Sequence, residues 1–371
     1  MKLIYEGKKS AIDILNITSN KKFSKPYKNN STLISGENFD SLMILLNEYN
    51  MRGKVDLIYI DPPFATKGVF TIGTDRVSTI SSSKIDDIAY EDNLIGEDFL
   101  EFLRERLILA RELLSENGSI YLHIDYKIGH YVKIIMDEIF GEKNFRNDIT
   151  RIKCNPKNFS RKAYGNIKDL ILFYSKTNHP IWNEPYIPYT EEDILKLYKK
   201  MDENGRPYTT VPLHAPGETK DGITASEFKG IRPPKGRHWR TSPVELEKLD
   251  EQGLIEWSSN GVPRRKIYAD ERKGKKMQDI WDFKDSQYPV YPTEKNYNLL
   301  QHIIKTSSTE DSIIMDFFCG SGTTLLAAQK LGRKWIGIDK SKKAITIAKN
   351  KLNSQQQDFF INNIFDYIEI E

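Results

Sequence analysis

Cysteines and long apolar runs are scarce in this sequence. It has two cysteines, Cys154 and Cys319, far apart in the chain, and six histidines without metal-ligand spacing, so we expect neither a disulfide framework nor a metal site. No apolar run approaches the roughly 18 residues of a membrane span. The opening MKLIYEGKKS lacks the apolar core of a secretory signal. These absences predict a cytoplasmic protein that does not act in a membrane.

A large excess of one sign of charge is missing as well. The chain has 55 Lys and Arg against 52 Asp and Glu, which gives a formal net charge of +3. A polyanionic partner would therefore be bound through local basic patches, because the field of the whole molecule is weak. With 371 residues, 39% hydrophobic and 29% charged, the composition indicates a globular chain of one large or two medium domains.

Strand and helix patterns alternate in both terminal parts of the chain. Short β-branched and aromatic runs predict strands, and apolar residues at helical spacing predict helices, in the order of a parallel α/β sheet. The predicted strands are 31–36, 55–60, 119–124, 170–175, 312–318 and 334–339, and the predicted helices are 37–49, 97–118, 127–141, 320–332 with its leading turn, and 341–352. The polar segment 65–93 has no sustained period and predicts a long loop that covers or binds a ligand.

The middle of the chain interrupts this alternation. Proline, glycine, aromatic residues and cations crowd together there, as in HAPGETKDG and IRPPKGRHWR. We therefore predict an inserted recognition domain at 177–285. Residues 1–176 and 286–371 would then form the two parts of a discontinuous catalytic domain.

The stretch DLIYIDPPF carries the first chemical signal. Its apolar run predicts a strand buried on both faces that ends at Asp61, and open α/β sheets bind ligands at the carboxyl ends of their strands. Pro62 and Pro63 lack an N–H, so their carbonyls and the ionised carboxylate can only accept hydrogen bonds. Phe64 offers a flat face that can stack on a base. An Asp-Pro-Pro turn alone is also an ordinary way to end a strand.

The stretch DFFCGSGTT, residues 316–324, is a glycine-rich turn between a strand and a helix. Gly320 and Gly322 would let the backbone approach a ligand closely. The turn lacks the third glycine of a dinucleotide-binding fingerprint, so a pyrophosphate is not expected. Asp339 ends the next strand, where a carboxylate can accept hydrogen bonds from both ribose hydroxyls. The pattern indicates a nucleoside without phosphates.

Together these stretches resemble the amino-DNA methyltransferases. DPPF resembles their catalytic tetrapeptide, and DFFCGSGTT resembles their S-adenosylmethionine motif. The catalytic motif comes first, as in the β class, a circular permutation of the methyltransferase fold, and YPTEKN at 291–296 resembles the PTxK motif of that class. Residues 30–175 and 280–350 are similar to the modification subunits of type III restriction systems. The resemblance implies a circularly permuted, Rossmann-like α/β fold with an inserted target-recognition domain.

The resemblance also implies roles for individual residues. The catalytic residues would be Asp61, Pro62, Pro63 and Phe64, with Asp61 and the Pro62 carbonyl accepting the two hydrogens of the target amine. The S-adenosylmethionine site would comprise Glu37, Asn38, Asp61, Thr293, Lys295, Asp316, Phe318, Cys319, Gly320, Ser321, Gly322 and Asp339. Asp316 and the glycine turn would hold the methionine end, Asp339 the ribose, and Glu37-Asn38 the adenine. The chain departs from the family in having Glu37 for Asp, Phe64 for Tyr and Asn296 for Pro.

A base that is methylated must leave the duplex, which requires contacts that hold the distorted DNA. Three basic segments are candidates for phosphate or base contact. Their residues are Arg151, Lys153, Lys157, Arg161 and Lys162 in the first, Arg232, Lys235, Arg237, His238, Trp239 and Arg240 in the second, and Arg264, Arg265 and Lys266 in the third. Arg237 and Arg240 are the candidates for base contact, and Arg264 to Lys266 for phosphate anchoring.

The sequence therefore predicts a site-specific methyltransferase that uses S-adenosylmethionine to methylate adenine N6 in double-stranded DNA. Cytosine N4 is the nearest competing target, because the same acceptors serve both amines. A non-catalytic DNA-specificity subunit and an RNA methyltransferase are two further possibilities. The resemblance also implies a homodimer, and either a helicase-nuclease restriction partner or a methylase that acts alone.

Overall fold

The computed structural model describes residues 2–63, 69–72, 77–78, 87–91, 96–156, 162–219, 221–285, 294–354 and 365–371. The chain divides into two compact units. Unit 1 comprises Met1–Glu184 and Gln278–Glu371, and unit 2 comprises Pro185–Met277. The insertion predicted from the sequence spans 177–285, whereas residues 280–282 form a strand in the large sheet of unit 1.

The described strands and helices follow the chain in this order. The strands are β1 (Thr32–Ser35), β2 (Val55–Ile60), β3 (Val69–Ile72), β4 (Val77–Ser78), β5 (Asp87–Glu91), β6 (Leu114–Ile124), β7 (Phe145–Ile152), β8 (Lys168–Ser175), β9 (Tyr186–Ile187), β10 (Lys200–Met201), β11 (Pro207–Pro212), β12 (His214–Pro216), β13 (Arg237–Trp239), β14 (Ile255–Trp257), β15 (Pro263–Tyr268), β16 (Lys275–Lys276), β17 (Ile280–Asp282), β18 (Ile313–Asp316), β19 (Lys334–Asp339) and β20 (Asp366–Glu369). The helices are α1 (Ala11–Leu15), α2 (Asn38–Asn47), α3 (Gly96–Leu113), α4 (Gly129–Phe140), α5 (Glu191–Leu197), α6 (Pro243–Glu251), α7 (Tyr297–Ser307), α8 (Thr323–Lys330) and α9 (Lys342–Ser354), with single 3-10 turns at Glu142–Asn144, Ile223–Ala225 and Ala269–Glu271.

The large sheet of unit 1 has the strand order β17-β7-β8-β6-β2-β18-β19-β1-β20 in the described part of the chain. Strands β6, β2, β18, β19, β1 and β20 are mutually parallel, and β8 is antiparallel to both β6 and β7. The late strands β18 and β19 lie between the early strands β2 and β1. This is the order expected when a doubly wound α/β sheet is circularly permuted, and the predicted fold class is confirmed.

Burial explains why these segments form the sheet and its covering helices. Most side chains of β2, β18 and β19 are inaccessible, as expected for central parallel strands covered on both faces. In α3, Phe99, Leu103, Leu107 and Ala110 recur at helical spacing and are buried in the main core. Asn296, where the related family usually has proline, caps α7 by accepting hydrogen bonds from two backbone N–H groups.

Three sequence predictions differ from the structure. The helix predicted over 97–118 ends at Leu113, and the strand that follows begins at Leu114, where a register shift against β2 accommodates Asn117 and Gly118. Strand β7 was not predicted, because its sequence FRNDITRI is polar at most positions. The segment 65–93, predicted as a loop, contains β3, β4 and β5, which form a small antiparallel sheet.

Unit 2 has its own small core. Leu213, Phe228, Trp239, Leu246 and Ile255 pack together and are buried. The sheet β10-β11-β15-β14 and the hairpin-like pair β12-β13 supply most of its regular structure. Among the residues that the structure describes, no helix of either unit is long and apolar enough to cross a bilayer.

Candidate active site

A cavity in unit 1 lies at the carboxyl ends of β2, β18 and β19. Its lining includes Tyr59 and Asp61 from β2 and the turn that follows it, Asp316 from β18, and Asp339 from β19. Chain segments far apart in sequence thus converge at one edge of the sheet, because parallel strands end at the same edge. The structure brings together the described residues of both sequence motifs.

The two carboxylate oxygens of Asp61 differ in their partners among the described residues. Lys295 Nζ lies 2.8 Å from Asp61 Oδ2. Asp61 Oδ1 is buried and has no hydrogen-bond partner among the described residues. A buried acceptor without a partner costs roughly 1–3 kcal/mol, so a ligand N–H that reaches Oδ1 would be strongly favoured. The carboxylate therefore suits an amino group entering the cavity.

The rest of the Asp-Pro-Pro-Phe tetrapeptide is only partly described. Pro62 is buried, and Pro63 lies on the cavity wall. Phe64 and Thr293 lie outside the described residues, so their predicted roles remain predictions. Lys295 lies in the cavity lining, and its ammonium contacts the Asp61 carboxylate.

Asp316 is a buried carboxylate at the end of β18. Its Oδ1 accepts a hydrogen bond from the Phe318 amide at 3.0 Å, and its Oδ2 accepts one from Thr324 Oγ1 at 2.6 Å. Burial raises the pKa of Asp316 to about 7, although both hydrogen bonds favour the ionised form. A cationic ligand group would lower that pKa and pair with the carboxylate.

The glycine turn packs tightly and holds Asp339. Gly322 has φ +78°, and a Cβ there would lie 2.9 Å from the Cβ of Ala348 on α9, so any larger residue would be strained and would clash. The Gly320 amide donates a hydrogen bond to Asp339 Oδ2 at 2.9 Å, and the Ser341 amide donates to Oδ1 at 2.8 Å. The structure therefore gives Gly322 a packing role beside the predicted role in ligand approach.

Arg106 was not found by sequence reasoning, yet it organises Glu37 and Asn38. Its Nη2 lies 2.7 Å from Glu37 Oε1, its Nε donates to Asn38 Oδ1, and its guanidinium carbon lies 3.5 Å from the ring centroid of Phe102. The Asn38 amide also donates to the Phe317 carbonyl. A signal was available, since Arg106 stands on the buried face of α3, between Leu103 and Leu107.

Phe318 and Cys319 line the same cavity. The rings of Phe318 and Phe102 have centroids 6.1 Å apart, which provides an apolar wall for a planar group. Burial raises the pKa of the Cys319 thiol well above its usual range, so the group remains protonated and acts as a small apolar side chain.

Lys351 is a second functional candidate that the sequence did not reveal. Its ammonium contacts Glu294 Oε1, Ser321 Oγ at 3.0 Å and Thr323 Oγ1 at 3.2 Å. It therefore ties α9 to the glycine turn and to the residue beside Lys295. Lys351 thus contacts three residues of the cavity lining, Glu294, Ser321 and Thr323, from behind the glycine turn.

This set of groups fits S-adenosylmethionine. Asp316 could hold an ammonium group, Asp339 a pair of ribose hydroxyls, and the Phe102 and Phe318 rings a purine. Among the described residues, no cluster of His, Cys, Asp or Glu could hold a metal ion. The cavity thus offers acceptors for the amino group and the ribose hydroxyls of the cofactor, and an apolar wall for its adenine.

The first basic segment requires a correction. Arg151, predicted to contact DNA, is 0% exposed and pairs with Asp169 and Asp285. Lys153 Nζ lies 2.6 Å from Asp169 Oδ1. In sequence, this first basic segment is typical of a surface patch, because its acidic partners Asp169 and Asp285 lie elsewhere in the chain. Lys162 is exposed, whereas Lys157 and Arg161 lie outside the described residues.

The basic residues of unit 2 fall into two groups. Trp239 is 1% exposed and belongs to the core, which corrects its prediction as a DNA contact. His238 Nδ1 donates to the Gly217 carbonyl, Arg264 donates to the Thr210 hydroxyl and carbonyl, and Arg232 pairs with Glu227. Lys266 is half-buried, with its ammonium 5.5 Å from the Tyr208 ring centroid. Of these predicted contacts, the exposed cations are Arg232, Lys235, Arg237, Arg240 and Arg265. Arg237 Nη1 lies 3.2 Å from His214 Nδ1, and Arg240 Nε donates to the Pro212 carbonyl.

Comparison with known proteins agrees with this geometry. The chain is 43% identical over 305 residues to the type II methyltransferase M.EcaI of Enterobacter cloacae, which covers 80% of this chain and 65% of that protein. It is 29% identical over 367 residues to the Mod subunit of the type III restriction-modification enzyme StyLTI of Salmonella typhimurium, which covers 88% of this chain and 54% of that protein. The chain thus spans between half and two thirds of the length of these relatives.

Among solved structures, the crystal structure of an M1.HpyAVI-SAM complex matches 86% of this chain and 100% of its own, at 17% identity and a TM-score of 0.47. That similarity is too low to locate individual residues. A family model described as DNA methylase, for N6 and N4 methyltransferases, matches residues 55–350. Because this match extends over most of the sequence and includes both motifs, the chain belongs to the N6/N4 DNA methylase family.

Proposed function

We propose that the protein is a site-specific DNA methyltransferase that transfers a methyl group from S-adenosylmethionine to adenine N6 in duplex DNA. The observation that carries this proposal is the buried Asp61 Oδ1, an acceptor without a partner among the described residues, at the edge of the cavity that fits the cofactor. S-adenosylmethionine is the methyl donor of the family.

The chemistry depends on hydrogen-bond acceptors. The lone pair of an aromatic amine is delocalised into the ring, so the amine is a poor nucleophile until its hydrogens are held and its nitrogen becomes tetrahedral. The bound cofactor supplies an electrophilic methyl group on a sulfonium. Asp61 Oδ1 would accept one amine hydrogen and stabilise the positive charge that develops on the nitrogen. Positioning and electrostatics therefore do most of the catalysis, and no covalent intermediate with the protein is required.

Cytosine N4 is the second candidate target, because its amine presents the same two hydrogens. Adenine is favoured by the general tendency of the family. Mass spectrometry of nucleosides from a host that expresses the chain would decide between them. N6-methyladenine is the expected product, and N4-methylcytosine without N6-methyladenine would assign the enzyme to cytosine instead. Sequencing the modified positions would also give the recognition site.

A DNA-specificity subunit without catalysis and an RNA methyltransferase are two competing functions. The intact Asp61 and the cofactor-shaped cavity argue against the specificity subunit, and the inserted unit 2 gives no support to the RNA enzyme. Titration calorimetry with S-adenosylmethionine separates the specificity subunit from an enzyme. Competition between duplex DNA and RNA for methyl transfer separates an RNA methyltransferase from a DNA methyltransferase.

Replacing Asp339 by alanine is expected to weaken S-adenosylmethionine binding by roughly 1.5–3 kcal/mol, the value of a hydrogen bond to a charged group. Asp339 is fixed by the Gly320 and Ser341 amides at the ligand end of β19. Titration calorimetry measures the change. Asp311, exposed in the loop before β18, provides a control substitution outside the cavity. Unchanged affinity in Asp339→Ala would show that another group holds the ribose.

We further propose that unit 2 recognises the target sequence. Arg265 is exposed on β15, whereas the guanidinium of the neighbouring Arg264 already donates to the hydroxyl and carbonyl of Thr210. Arg265 is thus the better candidate for phosphate anchoring. Arg237 begins β13 and Arg240 follows its last residue, and both are exposed. A bidentate contact from either to guanine would be worth about 1–3 kcal/mol of discrimination.

Arg265→Ala is expected to weaken binding to cognate and scrambled duplexes alike and to lower the salt slope by about one unit. Arg237→Ala is expected to relax the choice of base at one position. Arg206→Ala is the matched control, because Arg206 is partly exposed and already paired with Asp270 and Glu271. The measurement is the affinity of each variant for both duplexes as a function of salt concentration. If Arg265→Ala loses only cognate binding at an unchanged slope, the assignment is wrong.

The type III Mod subunits among its relatives suggest that the protein works with a restriction subunit, and the family suggests a homodimer. Sedimentation at micromolar concentration is expected to give a dimer, with or without DNA. A monomer under both conditions would contradict the dimer proposal. Co-purification from the native host tests for a helicase-nuclease partner, and its absence would favour a methylase that acts alone.

A further inference from the structure

A chain of buried polar side chains crosses four adjacent strands of the large sheet. Tyr59 on β2 lies 2.9 Å from His123 Nδ1 on β6, and His123 Nε2 lies 3.1 Å from Asp169 Oδ2 on β8. Asp169 also contacts Arg151 on β7 and Lys153 beyond it. Polar groups are rarely placed in the centre of a sheet without a reason, since each must find a partner there. The first member, Tyr59, reaches the cavity.

The partners of Asp169 fix the direction of every hydrogen bond in this chain. Burial alone would raise the pKa of Asp169, but the hydrogen bond from His123 and the charges of Lys295 and Lys153 bring it well below its usual range. An ionised carboxylate only accepts, so His123 must donate from Nε2. Burial lowers the pKa of His123, so the ring is neutral. Its lone pair is then at Nδ1, and Tyr59 must donate its hydroxyl proton to that nitrogen.

This direction matters because Tyr59 and Asp61 belong to the same cavity wall. They are two residues apart at the end of β2, on the same face of the strand. Burial, and after it the charge of Asp61, raises the pKa of Tyr59 well above its usual range, so the Asp61 carboxylate acts on this hydroxyl. A hydroxyl proton free to turn would be drawn to Asp61 Oδ1, which is buried and has no partner among the described residues. With its proton held by His123, Tyr59 presents only lone pairs to the cavity.

We propose that Tyr59 and His123 are positioning residues that keep Asp61 Oδ1 available for the target amine, by holding the Tyr59 proton on the far side of its oxygen. Asp169, with Arg151 and Lys153, sets the tautomer of His123 and so maintains this arrangement. The inference rests on the proposed methyltransferase function. It assigns to the buried Arg151 and the half-buried Lys153 a role in the polarity of the active site in place of DNA contact.

The test is a double-mutant cycle in the full-length chain, with methyl transfer to duplex DNA as the assay. His123→Leu removes the acceptor of the Tyr59 proton, so the hydroxyl can donate to Asp61 and compete with the amine. We expect kcat to fall about tenfold or more, the effect of one hydrogen bond to a charged group. The Kd of S-adenosylmethionine should stay within about threefold, because the cofactor contacts are unchanged. Adding Tyr59→Phe to His123→Leu removes the competing proton and should restore kcat by about fivefold or more.

Asp169→Asn gives a second route should His123→Leu fail to fold. Lys153 and Arg151 both only donate, and Lys153 lies nearer, at 2.6 Å from Oδ1 against 3.4 Å for Arg151 from Oδ2. The amide oxygen of the variant would therefore face Lys153, and its NH2 would face His123. His123 would then accept at Nε2 and donate from Nδ1, and the Tyr59 proton would turn to the cavity. The same loss of kcat and the same recovery with Tyr59→Phe are expected.

Tyr121→Phe is the matched control. Tyr121 is the register partner of Tyr59 on β6 and is equally buried, with its hydroxyl 2.8 Å from Ser307 Oγ. Adding Tyr121→Phe to His123→Leu should not restore kcat. The inference is overturned if Tyr59→Phe deepens the loss or leaves it unchanged, as packing alone would predict. An inactive parent chain would instead contradict the proposed function.

Discussion

Asp61→Ala is expected to abolish methyl transfer while the Kd of S-adenosylmethionine stays within about threefold of the parent value. The variant removes the acceptor for the target amine, and the interactions assigned to the cofactor lie at Asp316, Asp339 and Glu37. The lost interaction is one that strengthens as charge develops on the nitrogen, so its loss lowers kcat. Transfer of a labelled methyl group to duplex DNA, with calorimetry for the cofactor, makes the measurement.

Asp56→Ala is the matched control for this variant. Asp56 lies on the same strand, where its carboxylate accepts hydrogen bonds from Ser115 and from the Ile313 amide. It is absent from the cavity lining. We expect its loss to lower thermal stability and to leave the turnover of the folded fraction near that of the parent. An active Asp61→Ala variant would require a different catalytic group.

The sequence alone predicts those parts of the site whose residues lie within a few positions of the end of one strand. An apolar run that ends in Asp-Pro-Pro predicts both β2 and the position of Asp61, because the end of a buried strand and the ligand edge of the sheet coincide. The glycine turn and Asp339 follow from the same rule applied to β18 and β19. These signals are contained within a few residues of one another.

Pairings between distant residues could not be predicted in this way. Arg106 and Glu37 are 69 positions apart, and the bond between them depends on how α3 packs against α2. Arg151 belongs to a run of cations that has no acid within it, yet its partners Asp169 and Asp285 neutralise it in the core. A basic run in sequence shows charge but not its three-dimensional partners. The same limit applies to Trp239, whose cationic neighbours suggested DNA although its ring fills the core of unit 2.

Cofactor affinity is expected to depend on pH through Asp316. Burial raises the pKa of this carboxyl to about 7 in the free protein, so it is increasingly protonated as the pH falls below that value. We assign it to the amino group of the cofactor, whose ordinary pKa is roughly 7.7–8.0. The ion pair needs an ionised carboxyl and a protonated amine. Affinity should therefore be highest between pH 7 and pH 8, at about the interval between these two pKa values.

On the acid side, the sign of the effect follows from proton linkage. A bound cation lowers the pKa of Asp316, so binding releases a proton below pH about 7 and the affinity falls by up to about tenfold for each unit of pH. On the alkaline side, the amine loses its proton and the affinity falls again. Titration calorimetry from pH 5.5 to 9, in buffers of different ionisation enthalpy, would give both the Kd and the number of protons released, in steps of about half a pH unit.

Asp316→Asn should bind the cofactor more weakly at pH about 7.5 and should lose the acid limb of the profile, because the amide does not titrate. The substitution keeps an acceptor for Thr324 or for the Phe318 amide, so the turn should remain folded. S-adenosylhomocysteine shares the amino group but lacks the sulfonium charge, and the parent protein should bind it with the same acid limb. An acid limb that persists in Asp316→Asn would assign the titration to another group and would separate Asp316 from the amino end of the cofactor.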